Sequence, residues 1–370
     1  MQTKGQLNMN YEEFKARFID DITERIAEKG DKMKLSTHTI NKLNETYEAL
    51  TATPEGSQLG VNINLDRFYE AYSAGMPYDL AVDRATELID KGLRERPEIN
   101  VETLTDYEQV KNKLAIEVVS ADTNKEVLAN VPHKNIEDMA IVYRLVMESD
   151  ENGRASILVT NSMVNSFGIT PEQLHNDAIE NAPQIKPAEI RGMSEVLREI
   201  MGPERAEMMG LNVVDPADEK IFVATVPDKV HGAGVIAYQD FMDKAAERVG
   251  GDFFILPSSL HEILIVPDNG EVNLDALKSM VKEVNANEVR PEDKLTDSVY
   301  HYDSKDKIFE LGEKFVNRQM ERKRALAEKE VKPEKKSIVD ELKSMKDEVA
   351  KIPKKNSLEK PDKARTGEVL

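Results

Sequence analysis

Apolar side chains recur every three or four positions through Tyr11, Phe14, Phe18, Ile22 and Ile26, the stripe of one buried helical face. Asn10 stands where it can cap the opening turn, Glu13 completes a capping box, and Gly30 ends the run. Alternation takes over at 32–43, at 46–52 and, most cleanly, at Val61-Asn-Ile-Asn-Leu65, so three strands are expected. The last leads into a helix bearing Phe68, Tyr69 and Tyr72, which at helical spacing read as core rather than a stacking platform. A helix over 79–93 then turns Leu80, Val82, Ala85, Leu88 and Ile89 inward.

After a polar, Pro97-bearing linker at 95–105, strands are expected at 114–119, 139–147 and 155–160, the last two joined by a turn that uses Gly153. Thr170-Pro-Glu-Gln173 is a helix start, with a threonine cap and proline at the first helical position. The methionine-rich stretch 193–209 reads as gap-filling core, with a pliable binding groove as the alternative. Strands follow at 221–226 and 234–238, with Gly232-Ala233-Gly234 as a flexible link ahead of the second. A helix stopped by Gly250-Gly251 comes next. Asp252 to Gly270 holds two runs apolar on both faces, as in the middle of a sheet. A helix from Asn273 and strands at 299–302 and 308–309 complete the body. Strands and helices intermix with hairpin-type connections, which predicts an α+β fold with largely antiparallel sheets and packed helices.

Charge divides the chain. From Arg318 to Leu370 there are 16 basic and 11 acidic groups; the rest carries 34 basic against 58 acidic, within a net charge of −19. An acidic body repels phosphate backbones, so nucleic-acid binding by the body is not expected. The expected divisions are an N-terminal α+β part, 1–95, a main α+β domain, 106–317, and a charged, mostly disordered tail, 318–370. Within the tail Ile338, Leu342, Met345, Val349 and Ile352 mark one amphipathic helix, a candidate surface for a protein partner. No stretch is long and apolar enough to span a membrane, the first ten residues lack a secretory signal's apolar core, and a cytoplasmic location is expected. With no cysteine, disulfides, thiolate nucleophiles and cysteine-based metal sites are excluded.

The densest cluster of reactive groups is Ser258, Ser259, His261 and Glu262, between the two apolar runs. A serine as nucleophile, His261 as base and Glu262 as orienting group would make a hydrolase. Neighbouring strand residues point to opposite faces, however, so His261 and Glu262 should diverge. A strand-to-strand turn whose hydroxyls satisfy backbone amides is the expected arrangement. His261-Glu262 lacks the second histidine of a zinc-protease motif, since position 265 is Ile265. No metal site is expected from His38, His133, His175, His231, His261 and His301, and no cofactor site from the glycines. A non-catalytic binding or regulatory protein is the leading expectation, with a hydrolase at the 258–262 turn as the alternative.

The strings Leu256-Pro-Ser-Ser-Leu-His-Glu-Ile-Leu-Ile-Val-Pro-Asp268, Asn10-Tyr-Glu-Glu-Phe-Lys15 and Asp297-Ser-Val-Tyr-His-Tyr302 resemble a bacterial family described only as a domain of unknown function, found in Gram-positive anaerobes. The similarity runs from about Met9 to Phe315, and Leu-Pro-Ser-Ser-x-His-Glu is its most specific part. Gly168 to Asn181 is more distantly similar to a helix phrase of a second uncharacterised bacterial family. The resemblance implies a bacterial cytoplasmic protein with the tail as an appendage and residues before Met9 as a dispensable extension. It implies no activity and no site residues.

Overall fold

The computed structural model describes residues 9–30, 32–57, 60–95, 104–150, 153–210, 219–257 and 259–330. The fold is α+β, built on three antiparallel sheets. Helix α1 (Tyr11–Glu28) opens with the expected capping box, in which Glu13 N–H donates to the Asn10 side chain and Glu13 reaches back to the Asn10 amide. Phe14, Phe18, Ile22 and Ile26 lie buried on a sheet ordered β1 (Met33–Lys42), β2 (Glu45–Pro54), β3 (Val61–Asn64). Helices α2 (Leu65–Ser73) and α3 (Tyr78–Arg94) finish this layer. Tyr69 and Tyr72 pack on Phe14 and Phe68 on Phe18, so the aromatic group is core. On α3 the expectation is only partly met: Val82, Ala85 and Ile89 are buried, but Leu80 and Leu88 face solvent.

The second sheet pairs β4 (Leu114–Ser120) with one edge of the long β6 (Met139–Asp150), and β5 (His133–Ile136) and β7 (Gly153–Leu158) with its other edge. The third has six strands in the order β13 (Ile308–Leu311), β12 (Tyr300–Asp303), β10 (Phe253–Leu256), β11 (Ile263–Pro267), β9 (Phe222–Thr225), β8 (Glu189–Gly192). The apolar runs around residue 260 are thus its central hairpin: β10 is buried on both faces, as its composition predicts, while β11 alternates buried and half-buried positions. After the short helices α4 (Tyr107–Val110), α5 (Lys125–Leu128) and α6 (Asn161–Phe167), α7 (Pro171–Ile185), capped by Thr170, packs against β4.

Two expectations are overturned. Gly234–Tyr238 is not a strand: Gly232–Ala237 forms a buried 3-10 turn laid against β4, and Gly234 lies so close that a Cβ would sit 2.8 Å from the Ile116 carbonyl. That approach needs a glycine, which is also why the segment is no flexible link. The methionine-rich stretch is not core either. It forms two short helices, α8 (Met193–Met201) and α9 (Pro203–Met208), and Ile200, Met208 and the capping residue Met209 are exposed. The last helix, Gly312–Glu330, extends into the stretch expected as tail and belongs to a separate unit, Glu313–Leu370. The tail positions Ile338, Leu342, Met345, Val349 and Ile352 lie outside the described residues. No helix among the described residues is long and apolar enough to cross a membrane.

Candidate functional site: a carboxylate-held histidine beside the central hairpin

At the turn between β10 and β11, Ser259 Oγ accepts from the His261 amide at 3.0 Å, the turn-closing role expected of a hydroxyl there. His261 and Glu262 lie in the turn itself, ahead of β11, and not on the strand. Both nitrogens of the His261 ring are occupied: Nδ1 accepts from the His231 amide at 3.2 Å, and Nε2 faces Asp293 Oδ1 at 3.1 Å. An imidazole that accepts at one nitrogen and donates at the other has no lone pair left for a substrate. His261 therefore holds two loops together. Ser258 lies outside the described residues.

A second imidazole is placed differently. His231 sits 5.7 Å from the His261 ring, centroid to centroid, in the left-handed backbone region at φ 57°. Its Nδ1 lies 2.6 Å from Glu117 Oε1, and neither atom has another partner among the described residues. Glu117 is the one charged residue of β4, whose seven side chains are all buried. Its other oxygen takes the Arg144 guanidinium, reaching across from β6. Burial works to raise the Glu117 carboxyl, but the hydrogen bond with His231 and the Arg144 guanidinium outweigh it and hold the group below the ordinary carboxylate range. The proton between His231 and Glu117 belongs on Nδ1, which leaves the Nε2 lone pair of a partly exposed ring without a partner among the described residues.

The loop carrying His231 is fastened on both sides. Lys186, nearly buried at the end of α7, donates to the Val230 carbonyl at 2.6 Å and stands 3.7 Å from Asp228 Oδ2. Lys229 shares the left-handed conformation, at φ 54°. Thr225 Oγ1 donates to the His261 carbonyl at 2.7 Å, and a Cβ on Gly232 would run into both groups. Two non-glycine residues held at positive φ in one loop store strain that the surrounding contacts must offset, a pattern concentrated at functional sites.

Chain order hid this site, because Glu117, Arg144 and His231 come from two strands and a loop that no spacing rule connects. The signal in the sequence was Glu117 itself, a carboxylate inside the run Leu-Ala-Ile-Glu-Val-Val. No group of three or more histidine or acidic residues suited to a metal ion occurs among the described residues. A family model matches residues 11–304, a range that includes Glu117, Arg144, His231, His261 and Asp293. The chain belongs to DUF5688, a family of unknown function. The family thus spans both the α1–β3 layer and the site. Neither a curated protein nor a solved structure matches the chain.

Proposed function

We propose that the protein is a hydrolase of general acid–base type in which His231, not His261, transfers the proton. The supporting observation is the pairing of His231 Nδ1 with a buried, ionised Glu117, which leaves Nε2 as the accepting nitrogen on a partly exposed ring. In this reading Nε2 takes a proton from water, the oxygen attacks an electrophilic carbonyl or phosphoryl centre, and the imidazolium returns the proton to the leaving group. Glu117 fixes the tautomer and steadies the imidazolium; Arg144 keeps Glu117 charged. The test is a panel of ester, amide, phosphoester and glycoside substrates. His231→Ala should lower any hydrolysis by roughly 10²–10⁴-fold, while Ser259→Ala leaves it intact. A wild-type chain inert toward every class, or a His231→Ala enzyme of undiminished rate, refutes the assignment.

A second reading, a binding protein that acts through a protein partner, is favoured by the exposed Ile200, Met208 and Met209 at α8 and α9. An apolar face of another protein is the matching surface. Met208→Asp should abolish a complex reconstituted from the purified chain and its purified partner. A complex that survives this substitution unchanged argues against that face.

A further inference from the structure

We propose that Asn44 and Asp293 are positioning residues for His231, so that seating of the N-terminal sheet on the main body sets the geometry of the proton-transfer group. The inference rests on the His231 reading above and adds to it a pair of residues that touch neither the reacting atoms nor Glu117.

The link starts at the β1–β2 hairpin tip. Leu43 packs against the main hydrophobic core, and Asn44 takes the left-handed conformation, at φ 60°, that such a tight turn requires. Its amide donates to Asn124 Oδ1 at 2.6 Å. Its side-chain nitrogen donates to two carbonyls, Glu292 at 3.1 Å and Lys294 at 2.9 Å, which flank Asp293 in sequence. Arg67 of α2 adds an ion pair to Glu292 at 2.9 Å. The 292–294 segment is therefore held from the N-terminal layer by a clamp on both sides of Asp293.

Asp293 passes the constraint on through two routes. Its carboxylate holds His261 Nε2 at 3.1 Å, and the other nitrogen of that ring accepts the His231 amide. Its carbonyl accepts from the Leu260 amide at 2.8 Å, and the Leu260 carbonyl accepts from the Ala233 amide at 3.0 Å. The two routes meet the chain at His231 and at Ala233. A backbone held at positive φ persists only where its surroundings over-determine it. Removing the outer clamp lets the loop relax and the ring drift from Glu117. A merely structural tie between two halves would cost stability without reaching the imidazole.

The experiment follows the His231 ring proton by NMR in the full-length chain with ¹⁵N-labelled histidine. In the wild type this proton, enclosed between Nδ1 and Glu117, should exchange slowly with water. Asn44→Gly keeps the left-handed backbone and removes the clamp, together with the bond that Asn124 Nδ2 donates to Asn44 Oδ1; Asp293→Ala removes the hold on His261, and Asp293→Asn retains an acceptor there. Asn44→Gly and Asp293→Ala should each speed exchange roughly fivefold or more, the effect of one hydrogen bond, whereas Asp293→Asn stays near wild type. Asn10→Ala, which weakens α1 without touching the path, should leave the ring proton unchanged. Unchanged exchange in both Asn44→Gly and Asp293→Ala overturns the proposal, as does an equal response to Asn10→Ala. Should Asn44→Gly fail to fold, the Asp293 pair decides alone. A wild-type chain with no protected His231 proton refutes the Glu117 pairing and the proposal with it. An inert enzyme whose ring proton still responds refutes only the hydrolase.

Discussion

Glu117 is the residue on which the site turns, because a charge inside a fully buried strand must be paired or neutralised. It is paired twice, to Arg144 and to His231. Replacing it with glutamine breaks both pairs and should cost about 3 kcal/mol, since a buried partner is left uncompensated; denaturant unfolding measures this. The pH dependence follows from the same pairing. The folded-state carboxyl is held below its ordinary value, so its contribution to stability is complete above the ordinary carboxylate range and fades as pH falls through the depressed value. Glu117→Gln should remove that acid limb from the stability profile, and a profile identical to wild type would count against an ionised Glu117. Gly232→Ala is a steric counterpart: its methyl would meet the His261 carbonyl and the Thr225 hydroxyl, and a loss of about 1–3 kcal/mol is expected. At this scale the sequence was half legible. Ser259, His261 and Glu262 stood out as a cluster, and the Ser259 hydroxyl closes the turn as expected of a hydroxyl there. His231 did not stand out, because the carboxylate that gives it meaning is brought up by another sheet.

Elements were legible where their signals are local. The Asn10–Glu13 box, the Thr170-Pro171 start and the Gly250 stop each act within one turn of chain, and each forms as the residues predict. Asn10→Ala should therefore cost about 1 kcal/mol, read from the shift of the unfolding midpoint. The apolar run of β10 was equally clear, since a strand covered on both faces is where so little polarity is tolerated, whereas β11, just as apolar, is fully buried only at Ile263 and Ile265. What failed was the stretch after His231. Gly232-Ala-Gly-Val-Ile-Ala has no polar alternation to separate a strand from a buried turn, and the deciding fact is the closeness of β4 beneath Gly234. The exposure of Met208 and Met209 failed to show for a related reason. Methionine suits core and binding surface alike, so only the surrounding packing tells them apart.

The described residues up to Gly312 form one compact unit, yet its buried side chains fall into two clusters. One joins Phe14, Leu50, Tyr72 and Ile89; the other joins β4, β6 and the central hairpin. Leu43 is the apolar side chain of the hairpin tip that packs on the second cluster, and the remaining ties described at that junction are polar: Asn44 with Asn124, Asn44 with the 292–294 segment, and Arg67 with Glu292. Hydrogen bonds of this kind contribute about 1 kcal/mol each, and the partly exposed Arg67 pair less. A junction so light can keep two cores unfolding together only while its few contacts remain. The double variant Leu43→Ala, Asn44→Gly should therefore split unfolding in two, seen by hydrogen exchange as earlier loss of protection in α1 and β2 than in β10 and β11. In the wild type, loss of protection in the two regions should coincide. Coincident loss in the double variant would mean that the cores are bound by more than the hairpin tip, and the route from Asn44 to His231 would lose its mechanical basis.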